Sequence, residues 1–156
     1  MTDLKFEDIV GRYFNLNVNK DCFRIYVEEA GQGTPLLCLH TAGSDGRQFR
    51  HILNDKRITN NYRVIVFDLP WHGKSNPPDG YELNDYKLTT ELYKEIIMSF
   101  CNQYKLFDPV IMGCSMGGRV VLHLALEHGN FFKAVIALEG ADKLEPYYDL
   151  DWLYRP

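Results

Sequence analysis

Gly113-Cys114-Ser115-Met116-Gly117-Gly118 is the segment that most restricts how this chain can fold. It follows a short apolar run, Pro109-Val110-Ile111-Met112, and opens the stretch Met116 to His128, whose apolar residues recur at helical spacing. A strand must therefore become a helix within a residue or two. Such a turn strains its central residue and crowds the positions two before and two after it, where glycine leaves room. Gly113 and Gly117 fill both positions. Ser115 then projects from the tip, and the helix points its free N–H groups and positive dipole end toward it. A serine that must act as a nucleophile beside a developing negative charge needs this placement. A glycine-rich turn that only packs helix on sheet satisfies the same pattern. A phosphate cradle does not, because neither G-x-x-x-x-G-K-[ST] nor G-x-G-x-x-G occurs. Cys114 is a rival nucleophile by chemistry, but one residue early its side chain should point into the fold.

The rest of the chain supplies the setting. Tyr13 to Val18 and Phe23 to Glu29 alternate apolar and polar residues around the turn Asn19-Lys20-Asp21, which predicts an antiparallel hairpin. Pro35 to His40 and Tyr62 to Asp68 are nearly continuous apolar runs, the pattern of strands buried on both faces. A short helix with Phe49, Ile52 and Leu53 on one face should lie between them. Leu69 to Tyr81, with its prolines and glycines, reads as loop. Leu88, Leu92, Ile96 and Phe100 recur every four residues and predict a helix capped by Asn84 or Asp85. Gly129 should close the helix after Ser115. Phe132 to Glu139 is a last strand. The order predicts the α/β class, a mostly parallel sheet with flanking helices and an N-terminal antiparallel hairpin. Ligands of such sheets bind beyond the carboxyl ends of the strands, at 40–45, 68–75 and 113–117.

Composition narrows the function classes. The 156 residues are 46% hydrophobic and 24% charged, enough for one domain with a real core. The net charge of −4, with no Lys/Arg run, disfavours nucleic acid and anionic membranes as partners. No apolar stretch would span a bilayer, and Met1 to Glu7 lacks a signal-peptide core. Cys22, Cys38, Cys101 and Cys114 show no zinc spacing and read as buried reduced thiols, which fits a cytoplasmic location without a metal.

Three segments together resemble the α/β-hydrolase superfamily. His40-Thr41-Ala42-Gly43 is similar to its His-Gly loop after the third strand. Asp68-Leu69-Pro70-Trp71-His72-Gly73-Lys74-Ser75 is similar to its D-x-P-G-H-G-x-S segment after the fourth. Gly113 to Gly118 is similar to its nucleophile elbow after the fifth. The resemblance runs from about Tyr13 to Leu138, the first six of that fold's eight strands, and makes residues 1–156 a single partial domain. It implies Ser115 as nucleophile and the backbone N–H groups of Met116 and Ala42 as oxyanion donors. The substrate would be a small ester, thioester or similar carboxylic compound, with no cofactor.

The chain also departs from that pattern. Thr41 and Trp71 stand where the family usually has glycine, and both become candidate substrate contacts. The family's catalytic histidine follows an eighth strand, and none of the five histidines matches it. His40 and His72 match structural positions, and the isolated chain is expected to be inactive. Glu139 follows the sixth strand, where members resembling haloalkane dehalogenases place their catalytic acid; an ordinary loop carboxylate is the plainer reading. Residues 140–156 are acidic and aromatic and resemble the start of a cap, or else a frayed end. A C–C bond hydrolase and a non-catalytic binding protein remain alternatives. The apolar run Ala134 to Leu138 is expected to be an exposed sheet edge prone to self-association.

Overall fold

The computed structural model describes residues 6–77, 79–83 and 87–140. β1 (Val10–Val18) and β2 (Asp21–Ala30) form the antiparallel hairpin, and Asn19 takes a φ of 53° in its turn. Both strands run further than the alternation alone indicated. β3 (Thr34–Leu39), β4 (Tyr62–Phe67), β5 (Val110–Cys114) and β6 (Ala134–Leu138) complete a six-stranded sheet in the order β1-β2-β4-β3-β5-β6. β2 meets β4 antiparallel, and β4, β3, β5 and β6 are mutually parallel.

The continuous apolar runs are explained by the two faces of the sheet. Leu37, Leu39, Ile65, Phe67 and Ile111 point to one side, into a core closed by α3 (Thr90–Gln103) and α4 (Met116–His128). Leu36, Cys38, Val64, Val66, Val110 and Met112 point to the other, under Phe49 and Leu53 from the turn Gly46–Phe49 and α1 (Arg50–Asn54). Alternate residues leave opposite faces of a strand, so a strand covered on both must be apolar throughout. A further short helix, α2 (Lys56–Thr59), leads into β4.

Three local expectations are corrected. α3 is capped by Thr89, whose Oγ1 accepts the Leu92 N–H at 3.2 Å; Asn84 and Asp85 lie outside the described residues. The four-residue spacing also missed Lys94, which is buried because its ammonium meets Glu127 at 2.6 Å and Glu91 at 2.8 Å. Gly129 does not adopt the left-handed cap conformation. Its φ is −52°, and it starts a 3-10 turn, Gly129–Phe131, that carries the chain into β6. The third concerns the thiols. Cys38 and Cys101 are buried, and burial pushes both up to about 12, but Cys22 is exposed and Cys114 half-buried. Among the described residues no helix is long and apolar enough to cross a membrane. The candidate cap, from 141 on, lies outside the described residues.

Candidate active site

β5 ends at Cys114 and α4 begins at Met116, so Ser115 alone makes the turn. Its backbone sits at φ 51°, ψ −109°, and its side chain is exposed and makes no cap bond to the helix. A non-glycine residue at positive φ costs about 1–3 kcal/mol and persists only where its surroundings hold it there. The surroundings do. The Ser115 N–H donates to the Leu138 carbonyl at 2.8 Å, tying the turn to the end of β6, and its carbonyl accepts from Arg119 at 2.8 Å. A Cβ on Gly113 would lie 2.2 Å from the Gly117 carbonyl oxygen, and one on Gly117 would lie 2.5 Å from that of Leu39. Gly118 packs as closely on Leu138, at 2.5 Å. The three glycines let α4 start directly against the strand ends. Met116, the first helical residue, has no carbonyl one turn back, and its N–H stays available.

The strand register brings the other loops to the same edge. Leu39 pairs with Gly113 and Cys114 with Leu138, so Thr41, Ser115 and Glu139 follow at matching heights beyond β3, β5 and β6. The Thr41 N–H donates to Gln48 Oε1 at 2.9 Å, and the Thr41 carbonyl accepts from Ser44 at 3.3 Å. Ala42, the next residue, is exposed, and among the described residues nothing accepts its N–H. Trp71 is half exposed at a φ of 65°, with its ring edge-on to Tyr81 at 5.0 Å. Glu139 is exposed and, like Ser115, non-glycine at positive φ, 50°.

The two histidines of these loops have structural duties. His40 is fully buried. Its Nδ1 donates to the Thr41 carbonyl at 2.9 Å, and its Nε2 accepts the Leu69 N–H at 3.2 Å. Both ring nitrogens are committed in the neutral form, and burial lowers the pKa below the ordinary value of 6.5. His72 donates from Nδ1 to Pro70 at 2.9 Å and lies 5.0 Å from the His40 ring. His123 and His128 lie along α4 and His51 on α1. Among the described residues no histidine is hydrogen-bonded to the Ser115 hydroxyl.

A model of the alpha/beta hydrolase fold matches residues 34–155. The chain belongs to that family. This alpha/beta hydrolase is 33% identical over 95 residues to the magnesium-chelatase 30 kDa subunit of Rhodobacter capsulatus, covering 61% of the chain and 31% of that protein. It is 24% identical to the pimeloyl-[acyl-carrier protein] methyl ester esterase of Vibrio cholerae, covering 76% of the chain and 42% of the esterase. Among solved structures, the N-acyl homoserine lactonase AidH superposes with a TM-score of 0.69 and 28% identity, over 81% of the chain and 43% of the lactonase. The chain thus spans less than half the length of these relatives.

Sequence reasoning placed Asp68 and Ser75 within a motif but missed that they hold the loops of this hydrolase in place. Asp68 is buried. Its Oδ1 accepts the Gly46 N–H at 2.7 Å and its Oδ2 the Lys74 N–H at 2.8 Å, joining the loop after β3 to the loop after β4. Ser75 Oγ donates to the Asp68 carbonyl at 2.6 Å and accepts the Tyr26 N–H at 2.8 Å. Asp45 caps the Gly46–Phe49 turn, and its bonds to Arg47 hold its carboxyl at about 2. Short polar residues between apolar strands were the available signal, but their partners are distant in sequence. A cavity of about 270 Å³ opens among Tyr26, Glu28, Asp45, Arg47, Asp68 and Lys74, and Ser115 does not line it.

Proposed function

We propose that the chain carries the nucleophile and oxyanion site of a serine hydrolase acting on a carboxylic ester, thioester or related acyl compound. The supporting observation is the backbone of Ser115. A serine is kept at φ 51°, ψ −109° on an exposed tip where glycine would sit without strain. Packing α4 on the sheet needs Gly113, Gly117 and Gly118, but it does not need a hydroxyl at 115.

In this reading the Ser115 oxygen attacks the acyl carbon, and the carbonyl electron pair moves onto its oxygen. The N–H groups of Met116 and Ala42 hold that charge, and each such donor is worth about 3–4 kcal/mol in the transition state. Gln48 takes the competing Thr41 N–H and so fixes the loop that presents Ala42. Collapse expels the alcohol or thiol and leaves an acyl-serine that water then cleaves. Trp71 and Thr41 border the acyl group. Glu139 would orient the histidine that takes the serine proton. His40 is not that base, because its Nε2 lone pair already serves Leu69. The esterase and lactonase among the relatives act, by name, on carboxylic ester bonds, which favours this substrate class.

The test is hydrolysis of short nitrophenyl esters by the full-length product of the gene, by the 156-residue chain, and by Ser115→Ala forms of both. The full-length product should turn over and lose about four orders of magnitude or more on Ser115→Ala. The 156-residue chain should be slow by a comparable factor, for want of a base. Turnover indifferent to Ser115→Ala would overturn the assignment. No acylation of Ser115 in the full-length product would favour a non-catalytic binding protein.

A further inference from the structure

The loop after β4 turns on a tryptophan where its backbone favours glycine. Leu69 to His72 form a β-turn, closed by the His72 N–H donating to the Leu69 carbonyl at 2.9 Å. Pro70 fills its second position, and Trp71 holds the third at a φ of 65°. A turn with proline second and positive φ third is of type II, whose third position normally goes to glycine or asparagine. A large aromatic residue there is strained. The turn is nonetheless held on both sides. The Trp71 N–H donates to the Asn76 carbonyl at 3.1 Å, and the Asn76 N–H to that of Arg24 on β2 at 3.0 Å. The Leu69 N–H reaches His40 Nε2 at 3.2 Å, which sets the turn beside the loop after β3. The strain does not serve the core. Trp71 and Tyr81 are 47% and 41% exposed, and neither belongs to a core cluster. They meet edge-on instead, with ring centroids 5.0 Å apart and planes at 73°.

We propose that Trp71, steadied by Tyr81, receives an aromatic ring carried by the acyl group of the substrate, so that arylacetyl and similar aromatic acyl compounds are preferred over aliphatic ones. This role rests on Ser115 as the attacking residue. β4 and β5 flank β3, so the turn stands two strand spacings, about 10 Å, from the elbow. A ring one atom removed from the acyl carbon is centred about 4 Å from it. An aromatic pair adds about 4.5–7 Å between centroids. Together they cover that distance, whereas a short alkyl acyl group ends before Trp71. The negative face of the indole also attracts the positive edge of an aromatic guest, a fit that a saturated ring of the same size lacks. Glycine at 71 would relieve the turn and keep its backbone hydrogen bonds, so only the ring accounts for the residue.

The test uses the full-length product of the gene with Ser115→Ala, so that esters bind without being cleaved. Calorimetric titration compares methyl phenylacetate with methyl cyclohexylacetate, whose rings are of like size and differ in aromaticity. The aromatic ester should bind about three- to tenfold tighter. Trp71→Gly should bring that ratio to about one, and Trp71→Phe should keep most of it. The Trp71→Gly protein should also melt no lower than its parent, because glycine suits the turn. Equal or absent binding of the two esters overturns the proposal, and so does a ratio that survives Trp71→Gly. A Trp71→Gly protein that melts lower overturns it too, by assigning the ring to packing against another part of the chain. Hydrolysis of the same esters by the protein with Ser115 intact separates this role from the ester reading. Turnover that needs Ser115 but shows no aromatic preference keeps the nucleophile and removes the role of Trp71. Aromatic preference in binding, without turnover that needs Ser115, keeps Trp71 as the ring contact and removes the ester reading.

Discussion

At the scale of single residues, Ser115 is where local preference and the rest of the fold disagree. Its positive φ is imposed by the bond to Leu138 and by the contacts of Gly113, Gly117 and Gly118. Ser115→Gly should therefore be more stable than the parent by about 1 kcal/mol. The relieved strain outweighs the extra freedom that glycine gives the unfolded chain. Urea unfolding of the two proteins measures the difference. A less stable glycine variant would mean the conformation is not strained in this setting. The elbow was legible in the sequence because its glycines flank the serine at fixed local spacing, although Gly117 and Gly118 answer contacts with Leu39 and Leu138 on the neighbouring strands. The bonds of Asp68, Gln48 and Ser75 were not. Their roles depend on Gly46, Thr41 and Tyr26, which reach them only after the strands are assembled. Glu139 stood out by its place after a strand, but its φ of 50° could not be read from that place.

Among the elements, strands were easier to read than helix ends. A strand buried on both faces shows as an unbroken apolar run, and β3, β4 and β5 all do. The start of α3 turns on one hydrogen bond. Asn84, Asp85 and Thr89 are all good caps by type, and only the packing of Leu88 and Leu92 against the core selects the last. Thr89→Ala should cost about 1 kcal/mol, the usual value for losing a side-chain cap. Thermal unfolding is a sufficient measure, and an unchanged midpoint would show that the Thr89–Leu92 bond adds nothing. Lys94 could not have been found from α3 alone, since Glu127, the partner that makes its burial tolerable, lies on α4. Both carboxylates raise the Lys94 pKa, so this link between the helices weakens only in strong alkali or when Glu127 protonates.

For the whole molecule, the loop edge of the sheet makes acid stability a property of one buried ring. His40 bridges the loops after β3 and β4 only while neutral, because Leu69 donates to its unprotonated Nε2. Its folded pKa lies below 6.5, chiefly because burial disfavours the cation. In the unfolded chain the same imidazole takes a proton near 6.5. Below that pH the unfolded state holds one more proton than the folded state, and stability falls as pH falls. The slope from His40 approaches about 1.4 kcal/mol per pH unit, until the folded ring is protonated as well. Asp45 and Asp55, both near 2, act in a separate window, between their ordinary value of 3.8 and about 2. Urea unfolding from pH 7 to pH 5 should therefore show a loss that His40→Asn largely removes, even though that variant starts out less stable at pH 7. If the variant and the parent lose stability in parallel across that range, His40 is not the group that titrates, and the acid sensitivity must come from elsewhere in the fold.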